Sequence, residues 1–205
     1  MPETIGIIVF EDAEELDFVG PWEVFTMSNE VFAKAVPDRA RDDVFLVSQS
    51  GGTIKCAKGM RVETDYAFTD CPELDVLLVP GGWGTRAEVD NTAMLEFLAQ
   101  RAAGCKWVTS VCTGALLLAA AGPARAKRVT THWTFIEALR ARGEVAEVLE
   151  NIRYVRDGDV VTSSGVSAGI DMAFWLLGQI HGEDHARRTQ KAMEYYPAPP
   201  YAAAV

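Results

Sequence analysis

Residues 107–118 read Trp107-Val108-Thr109-Ser110-Val111-Cys112-Thr113-Gly114-Ala115-Leu116-Leu117-Leu118. A β-branched apolar run leads to a single cysteine, and Thr-Gly then opens a run of strong helix formers. The pattern predicts a buried strand over 107–112, a tight turn, and a helix over 113–121. In an open parallel sheet such a turn lies at the carboxyl edge, where a nucleophile elbow holds its side chain over the crevice. Gly114 leaves room for the helix to approach the strand. The helix N-terminus beneath Cys112 carries a partial positive charge, which is expected to lower the thiol pKa and favour the thiolate. A second reading treats Cys112 as a small buried core residue, a role common for free cysteines.

Working outward, short apolar runs alternate with helical stretches. Strands are expected over 4–10, 44–48, 76–79, 107–112, 129–131, 153–155 and 160–163. Helices are expected over about 21–35, 91–103, 113–121, 133–141, 166–182 and 184–193, the first opening at Pro21. Ile5-Gly6-Ile7-Ile8-Val9-Phe10 and Val76-Leu77-Leu78-Val79 are apolar throughout, as strands covered on both faces of a parallel sheet are. Asp157-Gly158 marks a late β-hairpin. The alternation predicts a doubly wound, three-layer α/β/α sandwich with a mostly parallel sheet, in a single domain over 1–205. The proline-rich stretch 197–200 and the residues after it read as a tail.

The 205 residues carry 19 Lys+Arg against 29 Asp+Glu, a formal net charge of −10. That balance argues against nucleic acid and anionic membranes as partners, because phosphate binding needs concentrated basic side chains. No apolar run approaches the roughly 18–20 residues of a membrane span, and no basic leader opens the chain. A cytoplasmic location is therefore expected. Cys56, Cys71, Cys105 and Cys112 form no CxxC pair, so free thiols are expected.

Two further loops fall at the same sheet edge. Pro80-Gly81-Gly82 follows the strand 76–79, and paired glycines there can turn sharply and point the Gly81 and Gly82 N–H groups at an anion or oxyanion. The same residues also read as an ordinary turn. After the first strand comes Glu14-Glu15-Leu16-Asp17-Phe18-Val19-Gly20-Pro21. Asp17, between Leu16 and Phe18, is placed to be desolvated, with a raised pKa suited to proton transfer. The alternative is a helix-capping role ahead of Pro21. His132 follows the next strand and could act as a base toward Cys112 or anchor a turn. His181 and His185 read as solvated, and without a third partner they make a poor metal pair.

Together these stretches resemble the ThiJ/PfpI superfamily, and within it the isonitrile hydratase branch. The resemblance rests on Leu16-Asp17 with Gly20-Pro21, Pro80-Gly81-Gly82, Thr109 to Gly114, and Thr130-Thr131-His132-Trp133. Gly165 to Asp171 and Glu194 to Pro200 extend it over nearly the whole chain. It implies a flavodoxin-like sandwich, a homodimer, and cofactor-independent, metal-free hydration of a small-molecule isonitrile to an N-substituted formamide. Cys112 would be the nucleophile, Asp17 the general acid/base, and Thr113 a hydrogen-bonding partner in the site. PfpI-type peptidases place His directly after the elbow cysteine, where this chain has Thr113, so a protease reading lacks its base. Other relatives carry Glu as the acidic partner and are associated with redox protection or glyoxalase-like chemistry. Regulators of the arabinose type share the Gly-Pro and Thr-Thr-His-Trp stretches but continue into a helix-turn-helix, which is not expected here. Two alternatives therefore stand beside hydration: a non-catalytic ligand or thiol redox sensor, and a cysteine-dependent hydrolase or lyase acting on another small electrophile.

Overall fold

The computed structural model of the chain describes residues 2–198; residues 199–205 of the expected tail lie outside the described residues. In chain order the elements are β1 (Thr4–Ile8), α1 (Glu15–Ala35), β2 (Asp43–Ser48), β3 (Gly52–Lys55), β4 (Arg61–Thr64), β5 (Tyr66–Ala67) and β6 (Val76–Val79). Then follow α2 (Thr85–Glu88), α3 (Thr92–Ala102), β7 (Trp107–Val111), α4 (Gly114–Ala121), β8 (Arg128–Val129) and a 3-10 turn (Trp133–Phe135) leading into α5 (Ile136–Arg142). The last are β9 (Glu147–Val148), β10 (Tyr154–Asp157), β11 (Val160–Ser163), α6 (Ala168–His181) and α7 (Glu183–Ala192).

Among the described residues seven strands form the main sheet, in the order β10-β11-β7-β6-β1-β2-β5. All its pairings are parallel except β10 with β11, the hairpin expected at Asp157-Gly158. The apolar runs are buried as their lack of alternation requires: every residue of β6 is buried, and all but the first of β1 and of β7. One helical group packs α1 with α6 and α7; another packs α3 and α2 with α4. This is the flavodoxin-like α/β/α sandwich anticipated. From β1 the chain winds to β2 on one side and later to β6 on the other. The crevice of such a sheet opens at the carboxyl ends of the strands around this reversal, and there β1, β6 and β7 end side by side.

Three expectations need correction. Helix α1 starts at Glu15, so Pro21 sits inside it instead of opening it. A proline there removes one helical hydrogen bond and costs about 3 kcal/mol in a free helix. Tertiary contacts override it: Phe18, Val24 and Phe25 are all core residues. The segment 129–131 contributes only Val129 to a strand, and that strand pairs with β9 outside the main sheet. Finally, the antiparallel pair β3–β4 was not expected, because its two short strands are mostly polar and exposed, with only Ile54 and Val62 as apolar residues packed against the core.

Candidate active site

Cys112 is the hinge on which the site is built. Its backbone is left-handed, with φ 56°, a conformation costly for a residue with a Cβ. Three hydrogen bonds hold it there. Its N–H is shared between the carbonyls of Ser163 and Ser164, both at 3.2 Å, and its carbonyl accepts the Thr131 hydroxyl at 2.8 Å. The following helix can approach because Gly114 has no side chain: a Cβ there would lie 2.2 Å from the Val79 carbonyl oxygen. The strand-to-helix turn is thus an elbow in fact, with the Cys112 side chain buried beneath the sheet edge.

Asp17, Thr113, Gly81 and Gly82 all converge on this turn. Asp17 comes from the first turn of α1, is fully buried, and accepts the Gly81 N–H on Oδ2 at 2.9 Å. It is therefore not a helix cap. Its other oxygen, Oδ1, is buried with no hydrogen-bond partner among the described residues. Burial raises the Asp17 pKa to about 7, helped by the nearby Glu14 charge and opposed by the Gly81 N–H, the Cys112 thiol and Lys58. The raised pKa inferred from Leu16 and Phe18 is thus present, with its cause in burial.

The thiol behaves differently from expectation. Burial pushes Cys112 up to about 12, and the Asp17 charge adds to the shift. The Thr113 and Val166 N–H groups and the Thr113 side chain oppose it. The helix end is present, but in this dry setting desolvation outweighs it. Cys112 is therefore a thiol at rest, coupled to a carboxyl that titrates near neutrality.

The loop 80–84 also departs from its expected use. The Gly81 N–H is taken by Asp17, and the Gly82 N–H donates to Thr113 Oγ1 at 3.0 Å. Thr113 Oγ1 also accepts the Thr85 hydroxyl at 3.1 Å. The two glycine donors thus orient the acid and the threonine instead of facing open space. Donors that do reach the thiol are the backbone N–H groups of Thr113 and Val166. Val166 was missed by sequence reasoning. A β-branched residue with φ 50° is a steric outlier, and nothing in the local pattern signals it beyond the preceding Gly165.

His132 lines the Cys112 cavity and also anchors a turn. Its Nδ1 accepts the Thr134 N–H at 3.3 Å and lies 2.8 Å from the Thr134 hydroxyl, which places the ring hydrogen on Nε2. Burial lowers its pKa, which favours the neutral ring, while the Glu14 charge opposes the shift. The cavity has a volume of about 200 Å³ and includes Glu14, Trp83, Arg86 and Phe135 in its walls. Glu14 is paired with Lys58, delivered by the β3–β4 turn.

The other histidines lie elsewhere, and the solvated reading of them fails. His185 is buried, 2.8 Å from Ser28 Oγ, and stacks on Phe32 with ring centroids 3.5 Å apart. His181 Nε2 lies 2.6 Å from Asp42 Oδ2. They close the α1–α6–α7 junction. Cys56, Cys71 and Cys105 are free thiols outside the Cys112 cavity, raised in pKa chiefly by burial. Among the described residues no three His, Cys, Asp or Glu side chains cluster as metal ligands, and no helix is long and apolar enough to cross a membrane.

With this geometry in view, the chain belongs to the DJ-1/PfpI family, whose model matches residues 3–179. It is 37% identical over 197 residues to the isonitrile hydratase of Pseudomonas putida, covering 96% of this chain and 80% of that protein. A helix-turn-helix-type transcriptional regulator of Pseudomonas aeruginosa is 29% identical over 72% of this chain, which spans 44% of the regulator. Among solved structures, a ThiJ/PfpI family protein from Pseudomonas syringae superposes with a TM-score of 0.89 at 30% identity, over 100% of this chain and 80% of that one.

Proposed function

We propose that the protein hydrates isonitriles to N-substituted formamides through a covalent Cys112 intermediate. The observation that carries this reading is a buried thiol on a cavity wall with a near-neutral carboxyl buried beside it, in a chain similar over most of its length to an isonitrile hydratase. In the first step the Cys112 thiol gives its proton to the Asp17 carboxylate as sulfur attacks the terminal carbon of R–N≡C. Asp17 returns that proton to the same carbon, leaving the thioimidate R–N=CH–S–Cys112. In the second step Asp17 takes a proton from water as the oxygen adds to the thioimidate carbon. The C–S bond then breaks, the nitrogen and sulfur end protonated, and R–NH–CHO leaves. Overall, one isonitrile and one water give one formamide, with no change of oxidation state.

This scheme assigns a task to the unpartnered Asp17 Oδ1: it is the oxygen free to carry the proton. Thr113 and the Val166 N–H support the sulfur as charge develops on it. The raised thiol pKa suits a nucleophile activated only when its base is in place. Leu16, Val19 and Trp22 form an exposed apolar stripe on α1, and we assign it to the contact of a homodimer.

The test follows the ultraviolet loss of an aryl isonitrile with wild type, Cys112→Ala and Asp17→Asn, each checked for folding. Wild-type turnover lost in both variants is expected. No turnover by the folded wild type would refute hydration, and turnover retained by Cys112→Ala would refute the covalent route. Light scattering at twice the protomer mass is expected for the dimer.

A further inference from the structure

The walls of the Cys112 cavity contain two charged side chains, and only one of them is neutralised. Glu14 is paired with Lys58. Arg86, on α2, has no carboxylate within ion-pair distance among the described residues. It is nonetheless held in place: its Cζ sits 4.1 Å from the Trp83 ring centroid and 4.6 Å from that of Phe135. Nη1 makes only long contacts, 3.4 Å to the Gly82 carbonyl and 3.5 Å to that of Trp83. A guanidinium clamped between two aromatic faces loses little freedom on binding, and its fork geometry matches a carboxylate.

The chain carries a net charge of −10, so its overall field repels anions. A free cation at the mouth of the nucleophile's cavity runs against that field. Many other basic side chains, Arg39, Arg101, Arg140 and Arg153 among them, do have acidic partners. Arg86 and Cys112 line the same cavity, whose volume is about 200 Å³, so a ligand that touches both has to be small.

Resting on the hydratase reading, we propose that the substrate's substituent carries a carboxylate, and that Arg86 is the specificity-determining residue that holds it. The preferred substrate is then a small isocyano carboxylate, with the isonitrile carbon at Cys112 and the carboxylate at the Trp83–Arg86–Phe135 clamp.

Two measurements test this on the full chain. The first compares kcat/KM for isocyanoacetate with that for its ethyl ester in wild type, Arg86→Met and Arg86→Lys. Wild type is expected to favour the carboxylate. Arg86→Met should lower the carboxylate-to-ester ratio by about fivefold, the scale of one partly exposed charge pair, and Arg86→Lys should keep most of it. A ratio unmoved by Arg86→Met overturns the proposal, since a purely structural role changes both substrates together. The second measurement needs no turnover. Alkylation of Cys112 by iodoacetate and by iodoacetamide is timed by peptide mass spectrometry. The iodoacetate-to-iodoacetamide ratio should fall by a similar factor in Arg86→Met, and the wild-type ratio should fall with added salt. If wild type hydrates neither isonitrile, the hydratase reading fails, and the alkylation ratio alone decides whether Arg86 recruits a carboxylate.

Discussion

Asp17 and Asp42 are both buried, one at the mouth of α1 and the other beside its far half, yet they are driven in opposite directions. Burial raises Asp17 to about 7, because a single Gly81 N–H and the thiol oppose it while Glu14 adds to it. Burial pushes Asp42 upward too, but its partners more than offset this, and its pKa ends below the usual value. Those partners are His181 Nε2 at 2.6 Å, the Glu3 N–H at 3.0 Å and Arg39 Nη2 at 3.0 Å. Desolvation is common to both sites; the number of donors differs. A saturated carboxylate is a fastener, whereas one left with a free oxygen is a proton carrier.

The sharpest break of that contrast is Asp17→Asn. It should cost hydration about 10²–10⁴-fold, the usual share of a positioned acid/base. It should also raise thermal stability at pH 8. A carboxyl with a raised folded pKa opposes folding once ionised, so wild type loses stability as pH climbs from the unfolded value near 4 through about 7. Melting curves of the two proteins should converge below pH 4. Activity lost without a gain in melting temperature at pH 8 would put Asp17 among the fasteners.

Asp42→Ala should do the reverse. Removing one partner of a buried charge pair costs about 3 kcal/mol, which lowers the melting temperature by roughly 6–12 °C in a chain of this size. The kcat/KM for an isonitrile should remain at the wild-type value. Because its folded pKa is depressed, Asp42 stabilises the fold above the carboxylate range. The deficit of the variant should therefore shrink as pH falls below about 4. A loss of kcat/KM in folded Asp42→Ala would couple the two regions.

Smaller effects probe Asp17 in place. The productive form of the pair holds one proton between Asp17 and Cys112, so the rate should rise with pH through about 7 and then level off. Lys58 lowers the Asp17 pKa and neutralises Glu14. Lys58→Met should move that acid limb upward by a few tenths of a pH unit, while the plateau rate stays near wild type. A limb that stays fixed would remove the β3–β4 turn from the electrostatics of the site.

Much of this was legible along the chain. The runs 5–10 and 76–79 announced a parallel sheet by their lack of alternation, and Cys112-Thr113-Gly114 announced the elbow. Asp17 was legible as a desolvated acid from its apolar neighbours. Other features were hidden because their causes are not local. Pro21 suggested a helix start, but burial of Phe18 carries α1 back to Glu15. His181 and His185 sit in a polar segment, yet packing against Phe32 and α1 removes them from water.

What the sequence alone determined is the order of the apolar strands and long helices and the three loops that meet at one sheet edge, because periodicity and turn chemistry act over a few residues. The state of the groups in those loops was decided only by tertiary structure. The Gly81 and Gly82 donors turn inward to Asp17 and Thr113, Val166 is strained so that its N–H reaches the sulfur, and Cys112 is held as a thiol. A pKa depends on how much water is excluded and which donors remain. Both are set by residues tens to more than a hundred positions apart in the chain.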